Sequence, residues 1–444
     1  MIQIFQNLYL SNRFFFLFGG IILVFLLGFA VPFIFPVALG LFALSIALVV
    51  LDISLLFNKS VKIEGRRITP KLLSLSDENS IHIELNNLSN QTFQAKIVDE
   101  LPVQFQIRDF EEQLELSMEE PQKINYELRP LERGIYAFGK INIYLSTTWG
   151  LVERRIQLDQ AGKVPVYPSI IQMKQMELQA FDRIAHHQGI KKLRRIGHSY
   201  EFDHIKNYVR GDDYRSLNWK ASSRKGELMV NKYEDERSQQ VYSIIDKSRS
   251  MRMPFNGLSL MDYAINSTLA LSNIILKKHD RAGLLSFSDK MGTVLKADSR
   301  REQLNKILLA LYKEKERQVE SNYELLYYAT RKLVSGRSLL MLYTNFESMY
   351  ALDRVLPILR KINKIHLLVV VFFENTEIKD FSQKPVESLE DIYHQTIAQK
   401  FVNEKRTMVQ KLQQYGIQAV LTRPEDLSLQ TVNKYLELKS RGLI

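Results

Sequence analysis

The chain has 444 residues, 45% of them hydrophobic and 25% charged, with a formal net charge of +11. A typical domain runs to roughly 100–200 residues, so about three are expected, with packed cores rather than disorder. Cysteine is absent, which excludes disulfides, thiolate nucleophiles and Cys-built zinc clusters. It fits a reducing compartment without requiring one. No Gly-rich loop of the P-loop or dinucleotide type occurs, which disfavours nucleotide binding by this chain.

Phe14 to Phe57 is almost wholly apolar, interrupted by Pro32 and Pro36, with Asp52 its only charge. It is long enough for two membrane passes of about 20 residues each. Phe14–Val31 and Val37–Phe57 are the predicted spans, and Phe33-Ile34-Phe35 is the short turn. A cleaved signal peptide fits less well, because the basic region before the first span is thin and a second span follows at once. A buried soluble hairpin also fits less well with so uniform a run. Arg13 precedes the spans, and Lys59, Lys62, Arg66, Arg67 and Lys71 follow them. The positive-inside tendency therefore places both ends in the cytoplasm. Residues 1–58 are expected to form a transmembrane hairpin, with the soluble body cytoplasmic.

Residues 59–168 change character. Ser80–Leu88, Thr92–Val98, Gln104–Arg108, Lys123–Leu128, Gly134–Leu145 and Leu151–Leu158 alternate apolar and polar residues between turn signals. Short strands at this spacing predict an all-β, immunoglobulin-like sandwich, with a small barrel as the alternative.

Residues 169–239 open with a predicted helix, Ile170–His187, and continue as a basic segment. Arg183 to Lys225 holds eleven Lys/Arg against four Asp/Glu, so +7 of the net charge lies there. Arg210, Asp212, Asp213, Arg215, Lys220 and Arg224 are candidate partner-binding residues, because Arg beside Tyr and Trp binds carboxylates bidentately or stacks. The alternative is internal. Asp212 and Asp213 would pair with Arg210, Arg215 or Arg224, Gly211 would turn the chain, and Trp219 would be a buried anchor. Tyr200, Tyr208 and Trp219 could serve as a base-stacking surface, but no nucleic-acid motif accompanies them, and no nucleic-acid partner is expected. An anionic lipid surface is a further fit for the charge. His186, His187, His198 and His204 lack an H-E-x-x-H spacing, and no G-x-S-x-G occurs. The chain is therefore read as a non-enzyme. A hydrolase or other enzyme using the His and Asp residues of 198–213 is the competing hypothesis.

Residues 240–444 alternate strand and helix. The predicted strands are Val241–Ile245, Ala282–Phe287, Leu339–Tyr343, Ile365–Phe373 and Gln418–Leu421. Between and after them lie predicted helices over Leu260–Lys278, Arg301–Lys313, Tyr323–Leu333, Leu352–Ile362, Leu389–Tyr415 and Leu429–Lys439. This predicts a doubly wound α/β domain with a mainly parallel sheet, whose ligands bind beyond the carboxyl ends of the strands. Asp246-Lys247-Ser248-Arg249-Ser250 lies at such an end. One carboxylate and two hydroxyls at i, i+2 and i+4 suit a hard divalent cation such as Mg²⁺. The competing reading has both hydroxyls capping the next helix. Lys247 and Arg249 are expected to face solvent.

The Asp246-x-Ser248-x-Ser250 turn is similar to the metal-ion-dependent adhesion site of von Willebrand factor A domains. Those domains add a Thr from a second loop and an Asp from a third. By position the resemblance implies Ser321 and Asn345. Ser for Thr keeps a hydroxyl, whereas Asn for Asp removes a charge and leaves Asp246 as the only carboxylate of the five. The resemblance thus implies weak binding of Mg²⁺, with Mn²⁺ as the alternative.

A longer likeness covers the whole chain. Gly197-His198-Ser199-Tyr200-Glu201-Phe202, Tyr208-x-Arg210-Gly211-Asp212-Asp213-x-Arg215-x-Leu217-x-Trp219-Lys220, Leu228-Met229-Val230 and the ending Asn433-Lys434-Tyr435-Leu436-x-Leu438-Lys439-x-Arg441-Gly442 resemble the signature of the family called domain of unknown function 58. That family combines a membrane hairpin, a β-rich domain, this signature and a von Willebrand A-like domain. The resemblance implies a MoxR-type AAA+ ATPase as partner and no known reaction. The expectation is a membrane-anchored interaction or adaptor protein, acting on other membrane or envelope proteins. A lipid- or envelope-polymer-binding structural protein is the third reading.

Overall fold

The computed structural model describes residues 6–118, 121–187, 201–234, 238–385 and 389–444. They divide into two units, Met1–Tyr167 and Pro168–Ile444.

In the first unit a strand precedes the apolar helices. β1 (Leu8–Leu10) leads into α1 (Asn12–Ala30), and a 3-10 turn at Pro32–Ile34 joins it to α2 (Phe35–Leu56). Ser11 caps α1 by accepting a hydrogen bond from the Phe14 amide. Pro36 lies in the first turn of α2, where its missing amide costs nothing. Both helices are long and apolar enough to cross a membrane. Phe18 and Phe25 of α1 pack edge-on against Phe42 of α2. Their outer faces stay uncovered, with Phe16 81% and Phe29 94% exposed.

The remaining strands of this unit are β2 (Ile63–Ile68), β3 (Leu73–Ser74), β4 (Asn79–Asn87), β5 (Phe93–Asp99), β6 (Glu112–Leu116), β7 (Gln122–Leu128), β8 (Gly134–Phe138), β9 (Ile141–Ser146), β10 (Val152–Leu158) and β11 (Gly162–Tyr167). They form three sheets, ordered β1-β10-β9-β5-β6, β2-β4-β7 and β3-β11-β8. Period-2 alternation buries one face of the longer inner strands: Ile81, Ile83 and Leu85 on β4, Phe93, Ala95 and Ile97 on β5, and Ile143 and Leu145 on β9. A buried ion pair crosses this core. The Arg67 guanidinium grips Asp99, and the Tyr126 hydroxyl donates to the same carboxylate. Two expectations are corrected here. Residues 104–108 are not a strand, because a 3-10 turn at Val103–Phe105 runs into Gln106 at φ 55°. The expected strand 134–145 breaks at Gly139-Lys140 into β8 and β9.

The second unit begins with α3 (Ile170–His187). β12 (Glu201–Asn207), α4 (Trp219–Lys225) and β13 (Met229–Glu234) follow, the two strands forming their own antiparallel pair. Then come β14 (Gln240–Asp246), a small hairpin of β15 (Pro254–Phe255) and β16 (Leu258–Ser259), α5 (Leu260–Lys277), β17 (Arg281–Phe287) and β18 (Met291–Asp298). α6 (Glu302–Lys313), α7 (Tyr323–Leu333), β19 (Leu339–Tyr343), α8 (Met349–Ile365), β20 (Leu367–Phe373), α9 (Thr376–Phe381), α10 (Leu389–Gln414), β21 (Gln418–Thr422) and α11 (Leu427–Ser440) complete it.

The principal sheet is ordered β18-β17-β14-β19-β20-β21. All pairs are parallel except the edge pair β17–β18. Alternate residues serve opposite faces. Ile244, Leu342, Val370 and Phe372 join one buried cluster with Leu326 of α7, Leu352 and Leu359 of α8, and Leu412 of α10. On the other face Tyr343 meets Ser267 of α5, which in turn meets Thr431 of α11. Burial on both faces is why β14, β19 and β20 read as continuous apolar runs. The chain leaves β14 first toward β17 and later returns on its other side as β19. The order therefore reverses at β14, the position at which open α/β sheets bind their ligands. Asp246 ends that strand.

Candidate functional site

Asp246 is 1% exposed and ringed by donors from three loops. Oδ1 accepts the Ser248 amide at 2.9 Å and the Ser321 hydroxyl. Oδ2 accepts the Thr344 hydroxyl at 2.8 Å. The Tyr323 hydroxyl lies 2.7 Å from Thr344 Oγ1. Burial pushes the Asp246 carboxyl above the usual range, opposed by Ser321, Ser248 and Thr344. Burial, with the nearby Asp246 charge, likewise holds the Tyr323 phenol well above its ordinary value.

The turn itself is zipped to the end of β17 and to the loop after α6. Lys247 N donates to Phe287 O, Arg317 N to Lys247 O, and Arg249 N to Val319 O at 3.0 Å. Lys247, expected to face solvent, instead keeps only 12% side-chain exposure and pairs with Glu314 at 2.7 Å. Glu314 also accepts from Ser286 at 2.6 Å. Its burial favours the neutral acid, yet Lys247 and Ser286 together hold it below the usual carboxylate range. Arg249 is exposed and shares Glu320 with Arg354.

Of the five expected ligands, Asp246, Ser248, Ser250 and Ser321 meet, with Ser248 Oγ 3.0 Å from Ser250 Oγ. Asn345 stands one step away, with both ends of its amide engaged. Nδ2 donates to Ser250 O at 3.1 Å, and Oδ1 accepts from Lys405 Nζ at 3.1 Å. Lys405 also donates to Phe346 O and lies over the Phe372 ring. Burial pulls the Lys405 ammonium down to about 8, although Glu404 and Glu347 oppose this. Thr344 and Lys405 were not identified from sequence. A Thr one residue before Asn345 carries a local signal, whereas Lys405 reaches the site from mid-α10 and carries none.

As a donor set for Mg²⁺ or Mn²⁺ this arrangement fits poorly. Hard cations of this kind favour several anionic oxygens aimed at one point. Here one carboxylate is already bonded by Ser248, Ser321 and Thr344, and Asn345 Oδ1 is taken by a cation. Among the described residues no group of three or more His, Asp or Glu is placed to hold a metal.

The second candidate is the β12–α4–β13 module. Asn218 caps α4 by accepting from Ala221 N at 2.9 Å, and Gly226, at φ 72°, ends it. Asp212 is turned inward, ion-paired to Lys206 at 2.7 Å and accepting from Val209 N. Asp213 accepts from the Arg215 amide and caps a 3-10 turn. Gly211, at φ 114°, does turn the chain. Trp219, expected as a buried anchor, is 70% exposed, and Tyr214 is 69% exposed. Arg210, Arg215, Lys220 and Arg224 of the same module are all exposed, with Arg215 over the Tyr214 ring. Ile205, Lys220, Ala221, Arg224, Lys225 and Met229 line an open cleft of about 410 Å³. His198 lies outside the described residues, so the competing catalytic arrangement with Asp213 does too. The final segment, Asn433 to Gly442, acts structurally through Tyr435 and Lys439. One turn apart on α11, both donate to buried Asp280.

A family model described as "Protein of unknown function DUF58" matches residues 204–379. A curated Bacillus subtilis (strain 168) protein, "Uncharacterized protein YeaD", is 26% identical over 167 residues, 37% of this chain and 38% of that protein. This chain thus spans well under half the length of that relative. Among solved structures, the conserved hypothetical protein BatB from Bacteroides thetaiotaomicron is similar at 13% identity. The likeness covers 46% of this chain and 99% of that one, with a TM-score of 0.29. The CARDB domain of a Pyrococcus furiosus protein, solved with di-metal ions, is similar at 13% identity over 25% of this chain and 97% of that one, with a TM-score of 0.19.

Proposed function

We propose that this chain is a membrane-anchored interaction protein, not an enzyme, and that the β12–α4–β13 module is its partner-binding surface. The observation that carries this reading is Trp219, 70% exposed beside Arg215, Lys220 and Arg224. The exposed indole stands in one short segment with exposed Tyr214 and Arg215, and Trp, Tyr and Arg are the residues most enriched at binding hot spots. The charge calls for an acidic partner. By resemblance that partner is a MoxR-type AAA+ ATPase, and the pair would remodel or activate other membrane or envelope proteins.

On this reading α1 and α2 form the anchor in a bacterial inner membrane, with the strands of the first unit and the whole second unit in the cytoplasm. The β unit is immunoglobulin-like, and the six-stranded sheet with its helices is a von Willebrand A-like body. The loops around Asp246 serve chiefly as an internally bonded support, and a Mg²⁺ bridge there would require Ser321 and Thr344 to turn away from the carboxylate.

The test is titration of the full chain, held in vesicles, with a purified MoxR-type ATPase at several salt concentrations. Binding should weaken steeply with salt, and by at least tenfold in the charge-reversed variant R215E/K220E/R224E. Unchanged affinity in that variant overturns the reading. A Mg²⁺ requirement that disappears in Asp246→Ala would move the contact to the strand ends.

A further inference from the structure

Three side chains tie the two apolar helices to a single turn of the β unit, Thr147 to Leu151. At the start of α1, Ser11 Oγ donates to Gly150 O at 2.5 Å, and the Ser11 amide donates to Leu151 O at 3.2 Å. Arg13 Nη1 reaches Thr148 O and Trp149 O at 3.4 and 3.3 Å. Near the end of α2, fully buried Asp52 accepts from Thr147 Oγ1 at 2.5 Å and from the amides of Leu151 and Val152 at 3.1 and 3.0 Å. From the β unit, Arg154 then caps the last turn of α2, donating to Leu56 O at 2.6 Å. β1 pairs with β10 in the same place. Gly150 eases this approach: its φ is +62°, and a Cβ there would meet Arg13 Nη1 at 3.1 Å.

This wiring fixes a depth. α2 has 22 residues, about 33 Å of helix, which matches a hydrocarbon core of about 30 Å. Asp52 lies one turn before its end, and a carboxylate at that level needs partners other than lipid. The turn and the first residue of β10 supply its three donors, so the turn is drawn down to the level of the helix ends. Trp149 sits at its tip, 46% exposed, beside Arg13. An amphipathic ring at that height belongs in the headgroup region, where tryptophans concentrate.

We propose that the Thr147–Leu151 turn is a lipid-contacting surface, with Trp149 seated among the headgroups and Asp52 as the positioning residue that holds the β unit against the bilayer. The proposal rests on the membrane reading of α1 and α2 given above.

The chain has two tryptophans, so Trp219→Phe leaves Trp149 as the only indole. The full-length variant is placed in phosphatidylcholine–phosphatidylglycerol vesicles, washed at alkaline pH, and exposed to lipids carrying a nitroxide near the headgroup or near the chain end. The expected result is protein retained on the vesicles and Trp149 quenched at least twofold more strongly by the shallow nitroxide. Adding Asp52→Leu, which preserves an apolar helix, should leave retention intact and reduce that quenching at least twofold. Retained protein whose Trp149 is quenched at neither depth overturns the lipid contact. Unchanged quenching in Asp52→Leu overturns the role of Asp52. Protein washed off the vesicles overturns the membrane reading itself and takes the inference with it.

Discussion

Thr344 Oγ1 donates to Asp246 Oδ2 across 2.8 Å, although 98 residues separate the two. That bond, not one from Asn345, closes the ring around the carboxylate and ties the ends of β14 and β19 together. The site is therefore a cross-loop knot in which neutral donors from three loops gather on one buried carboxyl group.

Cutting the centre out should loosen all three loops. Asp246→Ala leaves the Ser248 amide and the hydroxyls of Ser321 and Thr344 without their acceptor, a loss of about 2–4 kcal/mol. Asp246→Asn keeps the shape and one acceptor and removes the buried charge, so it should lose less. Urea unfolding of both variants beside the parent checks the order.

Lys405 supplies a pH signature. Its folded-state value is pulled down to about 8, while the unfolded value is about 10.4. Between these the unfolded chain binds the extra proton, so stability rises as pH rises from about 8 toward 10, and it is lowest below 8. Lys405→Met removes this rise. Urea midpoints for parent and variant should diverge between pH 8 and 10, and parallel curves would contradict it.

The last helix is held by Asp280. Tyr435→Phe deletes a buried hydrogen bond to that carboxylate while Lys439 keeps its own at 2.6 Å. The expected cost is about 1–2 kcal/mol, since a bond to a charged group exceeds a neutral one. Thermal unfolding of the variant measures it.

Trp219→Ala separates binding from folding. At 70% exposure the ring contributes little to stability, within about 0.5 kcal/mol. Affinity for an acidic partner should nonetheless fall at least tenfold. A large stability loss with affinity preserved would return Trp219 to the structural role that its sequence context suggested.

Much of the second unit was legible because its strands are buried on both faces. Leu339–Tyr343 and Tyr323–Leu333 occur as expected to the residue. β18 escaped notice because it is an edge strand whose alternate side chains are solvated, so Met291-Gly292-Thr293-Val294-Leu295-Lys296 reads as a loop. β1 is only three residues long and draws its stability from β10, far along the chain. Lys247 was misjudged because a Lys in a polar turn ordinarily faces water, and only the fold brings Glu314 beneath it. Trp219 was misjudged for the opposite reason. Aromatic rings usually mark cores, and nothing local distinguishes a ring that the fold leaves exposed.

The pairing of β1 with β10 also dictates an order of events. Ser11 and Gly150 are 139 residues apart, and everything between them must be made before the two can meet. At roughly 5–20 residues per second, the first strand waits on the order of 10 s for its partner. During that interval both apolar helices have emerged while Asp52 has no donors. The hairpin is thus committed to its surroundings first, and closure of the sheet afterwards fastens it there. A chain cut to begin after residue 58 would leave β10 with a bare edge, open to pairing with another copy.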